Sequence, residues 1–247
     1  MPGLKYSPVI QIPEARHGEF SAFQARHNTF GGLMSPVLGF DHFRMKKDVF
    51  GAHKHMHMSA ISYLFEDSVP YHNQDSMGTD LIITPGSLLW TWAGKGVVHH
   101  EVPTVEGREV HGLQLFLDIP PENRALPPRS IYIPVETMPV VSADGLSVKV
   151  AMGSAGDAVN TNSTPEPVTL LDIQLNAGKT TDYTLPAGWN GTIYLLSGTL
   201  QLNSRFTLNK NEAVSFGTAG IHEKIILAAG ADSRLLLISG PPVTGNY

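Results

Sequence analysis

Ten of the eleven histidines lie within the first 111 residues, and the arrangement of several of them could do chemistry. Three alternate in His53-Lys54-His55-Met56-His57, and a second cluster reads His99-His100-Glu101. In an extended strand, residues i and i+2 point to the same face. His53 and His55 therefore share a face, and so do His99 and Glu101. His57, Ser59, Ile61 and Tyr63 continue the first face. Two such strands facing each other inside a barrel gather three imidazoles and a carboxylate. That donor set suits an octahedral first-row ion with two positions open to water, oxygen or substrate. Structural zinc sites are usually closed, so open positions point to catalysis or sensing.

Taken alone, His-x-His on a solvated strand face is common, and His-x-Glu is weaker still. Their combination in one β-unit flanked by glycines selects ligation by His53, His55, His99 and Glu101. Glu101 doubles as the candidate general base. His57 is the other candidate catalytic group, because imidazole exchanges protons near neutrality. It is expected to line the pocket mouth; a fifth ligand is the other reading. His100 should point away from His99, and Met56 and Met58 should pack on the far side of the strand. His42, His72 and His111 read as surface or satisfied core histidines.

The elements that must hold these residues are short. Apolar runs at Ile61–Phe65, Leu81–Thr84, Leu88–Trp92, Leu113–Ile119, Val168–Leu175, Thr192–Leu196, Ala213–Phe216 and Leu235–Ile238 are bounded by turn residues. Such runs at regular spacing predict an all-β sandwich or barrel. Helical periodicity is absent, with room for a short helix only at Ser7–Phe20 or Pro121–Arg124. Ser62-Tyr63-Leu64-Phe65-Glu66-Asp67 is echoed by Ile193-Tyr194-Leu195-Leu196-Ser197-Gly198, and each half ends in a long apolar strand and a proline. Duplication of one β-unit follows. Two domains are expected, residues 1–135 with the metal and residues 136–247 without it, joined near Pro120–Pro139. Gly153–Pro167 reads as a surface excursion.

Aligning Tyr63 with Tyr194 puts Thr184 and Pro186 where His53 and His55 stand. His222 with Lys224 would then match His99 and Glu101, and one histidine beside a cation holds no metal. The second copy is expected to be a structural partner or a pocket without metal.

Composition closes several routes. The chain has no cysteine, which excludes disulfides, thiolate metal sites and cysteine nucleophiles, so any metal must take nitrogen and oxygen ligands. The formal net charge of −5 argues against a nucleic-acid surface. No apolar run is long enough to span a bilayer, and the N-terminus lacks the apolar core of a signal peptide. A cytoplasmic protein is expected.

Several blocks resemble the pirin family, two-domain members of the cupin superfamily. Asp75-Ser76-Met77-Gly78 is similar to the family's Asp-Ser-Leu-Gly. Ala93-Gly94-Lys95-Gly96-Val97-Val98-His99-His100-Glu101-Val102-Pro103 is similar to Ala-Gly-Arg-Gly-Ile-Val-His-Ser-Glu-Met-Pro, and His111-Gly112-Leu113-Gln114-Leu115-Phe116 to His-Gly-Leu-Gln-Leu-Trp. The resemblance runs across nearly the whole chain. It implies two tandem cupin, jelly-roll-like β-barrels with one iron(II)-type centre in the first, Mn, Ni, Cu and Zn being the alternatives. Carried over by position, its ligands are His53, His55, His99 and Glu101. Some pirins resemble quercetin 2,3-dioxygenases, which implies a flavonol- or enediol-like small-molecule substrate in the N-terminal barrel. Others are redox-sensitive regulators, which implies a protein partner instead. The chain departs from the family's His-Pro-His-Arg-Gly-Phe-Glu-Thr motif: Lys54 replaces its proline, and Met56-His57-Met58-Ser59 replaces Arg-Gly-Phe-Glu. Ser59 thus stands where many cupins carry a glutamate ligand. His57 puts a bulky group where the family has glycine.

Overall fold

The computed structural model describes residues 3–243, which form antiparallel β-sheets and three short 3-10 turns. In chain order, β1 (Lys5–Tyr6) and β2 (Ile10–Gln11) are followed by β3 (Glu14–His17), β4 (Phe20–Arg26), β5 (Val37–Met45), β6 (His53–His55), β7 (Met58–Leu64), β8 (Tyr71–Asp75) and β9 (Asp80–Ile83). Next come β10 (Leu88–Trp92), β11 (Val97–Pro103), β12 (Val110–Asp118) and β13 (Arg129–Ile133). The remainder are β14 (Val140–Ala143), β15 (Leu146–Met152), the small hairpin β16 (Ser154–Ala155) and β17 (Ala158–Val159), β18 (Thr169–Leu175), β19 (Thr180–Leu185), β20 (Asn190–Ser197), β21 (Thr199–Leu202), β22 (Phe206–Asn209), β23 (Glu212–Gly217), β24 (Glu223–Ala229) and β25 (Ser233–Gly240). Among the described residues no helix is long and apolar enough to cross a membrane.

Two compact units result. Pro13–Arg26 and Val37–Glu136 form the N-terminal barrel. Thr137–Pro242 forms the C-terminal barrel together with His27–Pro36 and the leading segment up to Ile12. Where the sequence allowed a helix, over Ser7–Phe20, there are strands instead. The physical reason is pairing: β1 and β2 hydrogen-bond to β23, and β3 to β4. Backbone groups that a helix would satisfy internally are satisfied by these ladders.

Both barrels repeat one strand order. The large sheet of the N-terminal barrel runs β13-β10-β7-β12-β5-β4-β3, and that of the C-terminal barrel runs β1-β23-β20-β25-β18-β15-β14. Opposite these lie β6-β11-β8-β9 and β19-β24-β21-β22. Even the capping strand is matched, with β13 on β10 in one barrel and β1 on β23 in the other. The central strands read as continuous apolar runs because they are covered on both faces. All five residues of β10 are buried, for example, and Trp90 is fully so. The edge strand β3 is exposed throughout and carries Glu14, Arg16 and His17, which discourages pairing with another chain.

Each barrel has its own apolar cluster among the described residues. Phe43, Met45, Leu64, Tyr71, Leu89 and Val110 pack in the N-terminal barrel. Leu171, Ile173, Ile193, Leu195, Phe216, Leu227 and Leu237 pack in the C-terminal one. Full burial of one such side chain contributes roughly 1.5–3 kcal/mol.

Candidate metal centre in the N-terminal barrel

The strands carrying the histidines are set by a glycine turn. Between β10 and β11, Ala93-Gly94-Lys95-Gly96 closes with Gly96 N–H donating to Ala93 O at 2.7 Å. Gly94 sits at φ 47°, and a Cβ there would lie 2.3 Å from Leu126 O. Only glycine fits. This turn delivers β11 antiparallel to β6, with His99 opposite His53 and Val97 opposite His55. On its other edge β11 pairs with β8, putting Glu101 opposite Asn73.

His53, His55 and His99 come together: one nitrogen from each lies within 4.8 Å of the others, and the trio could hold a metal ion. The Nε2 atoms of His53 and His99 are 3.1 Å apart. Two nitrogens each ~2.1 Å from one ion and at right angles around it would be about 3 Å apart, so the spacing fits shared ligation. The far side of each ring is already engaged. His53 Nδ1 lies 3.0 Å from Gly51 O, and His99 Nδ1 lies 3.3 Å from Asn73 Oδ1. A ring that donates through Nδ1–H leaves Nε2 bare for a metal. Burial, with repulsion from neighbouring imidazoles, lowers His55 and His99 to about 4. Both are therefore neutral at pH 7, as ligation requires.

Glu101 is buried beside this trio, with Oε2 3.8 Å from His99 Nε2. Ser62 Oγ donates to Oε1 at 2.9 Å and lies 2.9 Å from the Gln114 side-chain amide. Tyr71 OH donates to Oε2 at 3.5 Å. Burial outweighs these hydrogen bonds and pushes the Glu101 carboxyl up to about 6. Burial and the Glu101 carboxylate together raise the Tyr71 phenol well above its usual range, so it stays a donor. A cavity of about 230 Å³ opens onto His53, His55 and Glu101. Its apolar wall is Phe20, Phe43, Met45, Phe50 and Phe116; Asp41, Tyr71 and Gln114 also line it, and no lysine or arginine does.

His57 is not part of this arrangement. Strand β6 ends at His55, and His57 adopts φ 63°, exposed and absent from the cavity wall. The assumption of unbroken alternation fails here. One left-handed residue shifts the parity, so β7 turns Ser62 toward Glu101 rather than presenting Ile61 and Tyr63. Met56 likewise does not pack on the far side; it is 44% exposed.

Other histidines take structural roles. His111 Nδ1 holds Asp67 at 2.8 Å and its Nε2 meets His42 at 2.9 Å, while His72 pairs with Asp80 and His100 with Asp48. Sequence reasoning missed Asn73, Ser62, Tyr71 and Gln114. Their signal was available in part, since Asn73 and Tyr71 alternate on the strand beside β11.

In the C-terminal barrel the equivalent strands carry no such group. The ladder pairs Tyr183 with Ile225 and Thr184 with Lys224. Tyr183, Leu185, Ile225 and Leu227 are buried, whereas Thr184 and Lys224 are exposed. The inward positions are thus one residue away from Thr184 and Pro186. Among the described residues, His53, His55 and His99 are the one clustered set of three or more such side chains.

The sequence matches the pirin family over residues 16–117 and the pirin C-terminal cupin domain over residues 170–246. Mouse pirin is 30% identical over 213 residues, covering 85% of this chain and 73% of its own length. The chain belongs to the pirin family. Human pirin is 29% identical over a similar span, 85% of this chain and 73% of the relative. Among solved structures, GK1651 from Geobacillus kaustophilus superposes with a TM-score of 0.89 at 24% identity, covering 99% of this chain and 98% of that one. A quercetin 2,3-dioxygenase from Acinetobacter baumannii gives 0.87 at 21% identity, over 99% and 90%. The Escherichia coli pirin YhhW in complex with nickel(II) gives 0.73 at 19% identity, over 98% and 100%. These likenesses establish the tandem cupin fold of this pirin.

Proposed function

We propose that this pirin is a metal-dependent dioxygenase, with His53, His55, His99 and Glu101 holding one iron(II)-type ion and a flavonol or similar enediol as substrate. The observation carrying this reading is the largely aromatic cavity that ends on the His53 and His55 imidazoles and the buried Glu101 carboxyl. A bound ion of this kind supplies Lewis acidity and redox chemistry toward an enolate and O2. The chain's own residues do the rest. Phe20, Phe43, Phe50 and Phe116 offer flat apolar surface to a planar ring and exclude water. Glu101 opens onto the cavity beside the imidazoles and is placed to take the proton of a substrate hydroxyl. Ser62 and Tyr71 hold its carboxylate in place while it does so. The absence of basic wall residues disfavours carboxylate or phosphate substrates. Regulation through a protein partner remains the alternative reading, and the apolar wall is the observation that favours the enzyme.

The test is oxygen uptake by iron(II)-loaded protein across a set of flavonols and enediols. Substrate-dependent O2 consumption, lost in Glu101→Gln at unchanged fold, supports the reading. Metal-loaded protein that consumes no O2 with any chelating substrate overturns it.

A further inference from the structure

The metal-site cavity is not the larger one in this molecule. A cavity of about 460 Å³ opens to solvent at the C-terminal barrel, roughly twice the volume found beside His53 and His55. Small-molecule pockets typically occupy ~300–1,000 Å³, with apolar walls and a few convergent polar groups. Small barrels without a ligand are usually filled by their own side chains. In this barrel Leu185, Ile225 and Leu227 fill the core where the metal donors stand in the other, and the cavity opens instead over Val148, Leu171, Ile173 and Tyr183.

We propose that the C-terminal barrel is a second ligand site, taking an uncharged aromatic molecule that carries a hydroxyl or carbonyl oxygen. Its inner wall is apolar, formed by Val148, Leu171 and Ile173, all buried. No lysine or arginine lines it. Apart from the buried Tyr183 phenol, the titratable groups on its wall, Asp182 and His222, are exposed, and Asp182 is paired to Lys224 at 3.2 Å. An anion entering the interior would lose hydration without finding a counter-charge, which is costly. An uncharged ring loses nothing comparable and gains apolar contact.

The polar end is defined by three hydroxyls. Tyr183 reaches from β19 to Ser239 Oγ on β25 at 2.6 Å and also bonds the Thr169 side chain. Tyr183 and Thr169 both line the cavity. Each hydroxyl can donate and accept, so this cluster matches a phenol or carbonyl oxygen. Trp189 lies on the cavity wall, partly buried against the same core, and offers a stacking face. The proposal needs no metal and stands whether or not the N-terminal site is an oxygenase.

Naphthol is the probe, and naphthoate, its carboxylate relative, is the control. Binding to the full, metal-stripped chain is read by calorimetry and by Trp189 fluorescence; the other two tryptophans, Trp90 and Trp92, are fully buried in the N-terminal barrel. The expected result is a saturable naphthol site that perturbs Trp189 fluorescence and is at least about tenfold tighter for naphthol than for naphthoate. Ile173→Trp, which fills the cavity, should abolish binding. The double change Tyr183→Phe with Thr169→Val should weaken it about tenfold and remains informative if Ile173→Trp fails to fold. His55→Ala should bind naphthol like the parent. The proposal is overturned by an absence of saturable binding, by equal affinity for naphthoate, by loss of binding in His55→Ala, or by parent-like binding in the Tyr183 and Thr169 double variant.

Discussion

The two barrels share a strand order down to their capping strands, yet they spend their inward positions differently. At the paired strands β6 and β11, the N-terminal barrel points His53, His55, His99 and Glu101 inward. At the paired strands β19 and β24, the C-terminal barrel points Tyr183, Leu185, Ile225 and Leu227 inward. The first set is held apart from full apolar packing by hydrogen bonds to Gly51, Asn73, Ser62 and Tyr71. The second packs directly into the core and keeps only the hydroxyl contacts of Tyr183 with Ser239 and Thr169. The fold is therefore indifferent to the chemistry it carries. A handful of side chains on two strands decides whether a barrel can hold an ion, and the sheets need no rearrangement.

Removing one imidazole is the strongest way to break this contrast. In His99→Ala, metal content should fall from one ion per chain to almost none, with affinity down by about a hundredfold or more, beyond the loss typical of a merely supporting partner. Circular dichroism should stay β-like, because the cores of both barrels are untouched. Two ions per chain in the parent, or one ion retained in His99→Ala, would show that the barrels do not differ as described. Elemental analysis of untagged protein measures both.

Asn73 offers a sharper cut, because it probes how the donors are prepared rather than whether they exist. Its side chain is fully buried, its Oδ1 faces His99 Nδ1 at 3.3 Å, and its Nδ2 has no hydrogen-bond partner among the described residues. An unpaired buried amide N–H costs about 1–3 kcal/mol. The acceptor on the same group offsets that cost by holding His99 as the Nδ1–H tautomer with Nε2 bare. Asn73→Leu should weaken metal binding about 10–100-fold. Asn73→Asp, which retains the acceptor, should restore most of it. Nitrogen NMR of the metal-free parent should find the His99 proton on Nδ1. A proton on Nε2, or equal affinities in the two variants, would remove Asn73 from this role.

Much of this was legible in the residues. Period-two runs and turn residues revealed the β-architecture and the duplication, since strand alternation depends only on local backbone geometry. The four clustered donors stood out for the same reason. What could not be read was any place where the period slips. Val37–Met45 mixes Asp41, His42 and Arg44 into a central strand, and its polar residues hid it. Ser62 became visible as a Glu101 partner only once the backbone turned left-handed at His57. The inward positions of β19 were misread by one residue, because a longer loop precedes β20 than precedes β7.

That same turn supplies the smallest and most discriminating comparison. His57 at φ 63° and Gly188 at φ 77° stand at matching points, each just before the residue whose carbonyl closes the next turn. Ala93 N–H donates to Met58 O in one barrel, and Thr218 N–H donates to Trp189 O in the other. An L-residue in this conformation costs roughly 1–2 kcal/mol, whereas glycine loses about 0.5–1 kcal/mol more chain entropy on folding. His57→Gly should therefore stabilise by about 0.5–1 kcal/mol, raising Tm by roughly 1–4 °C, and should leave metal content unchanged. Gly188→Ala should destabilise by a similar amount, and through the backbone alone, because nothing lies within 4 Å of the added Cβ. Opposite signs at the two positions would tie both to one requirement of the duplicated fold. Loss of metal in His57→Gly would mean that the imidazole itself serves the site, and the two turns would then have diverged in function as well as in residue.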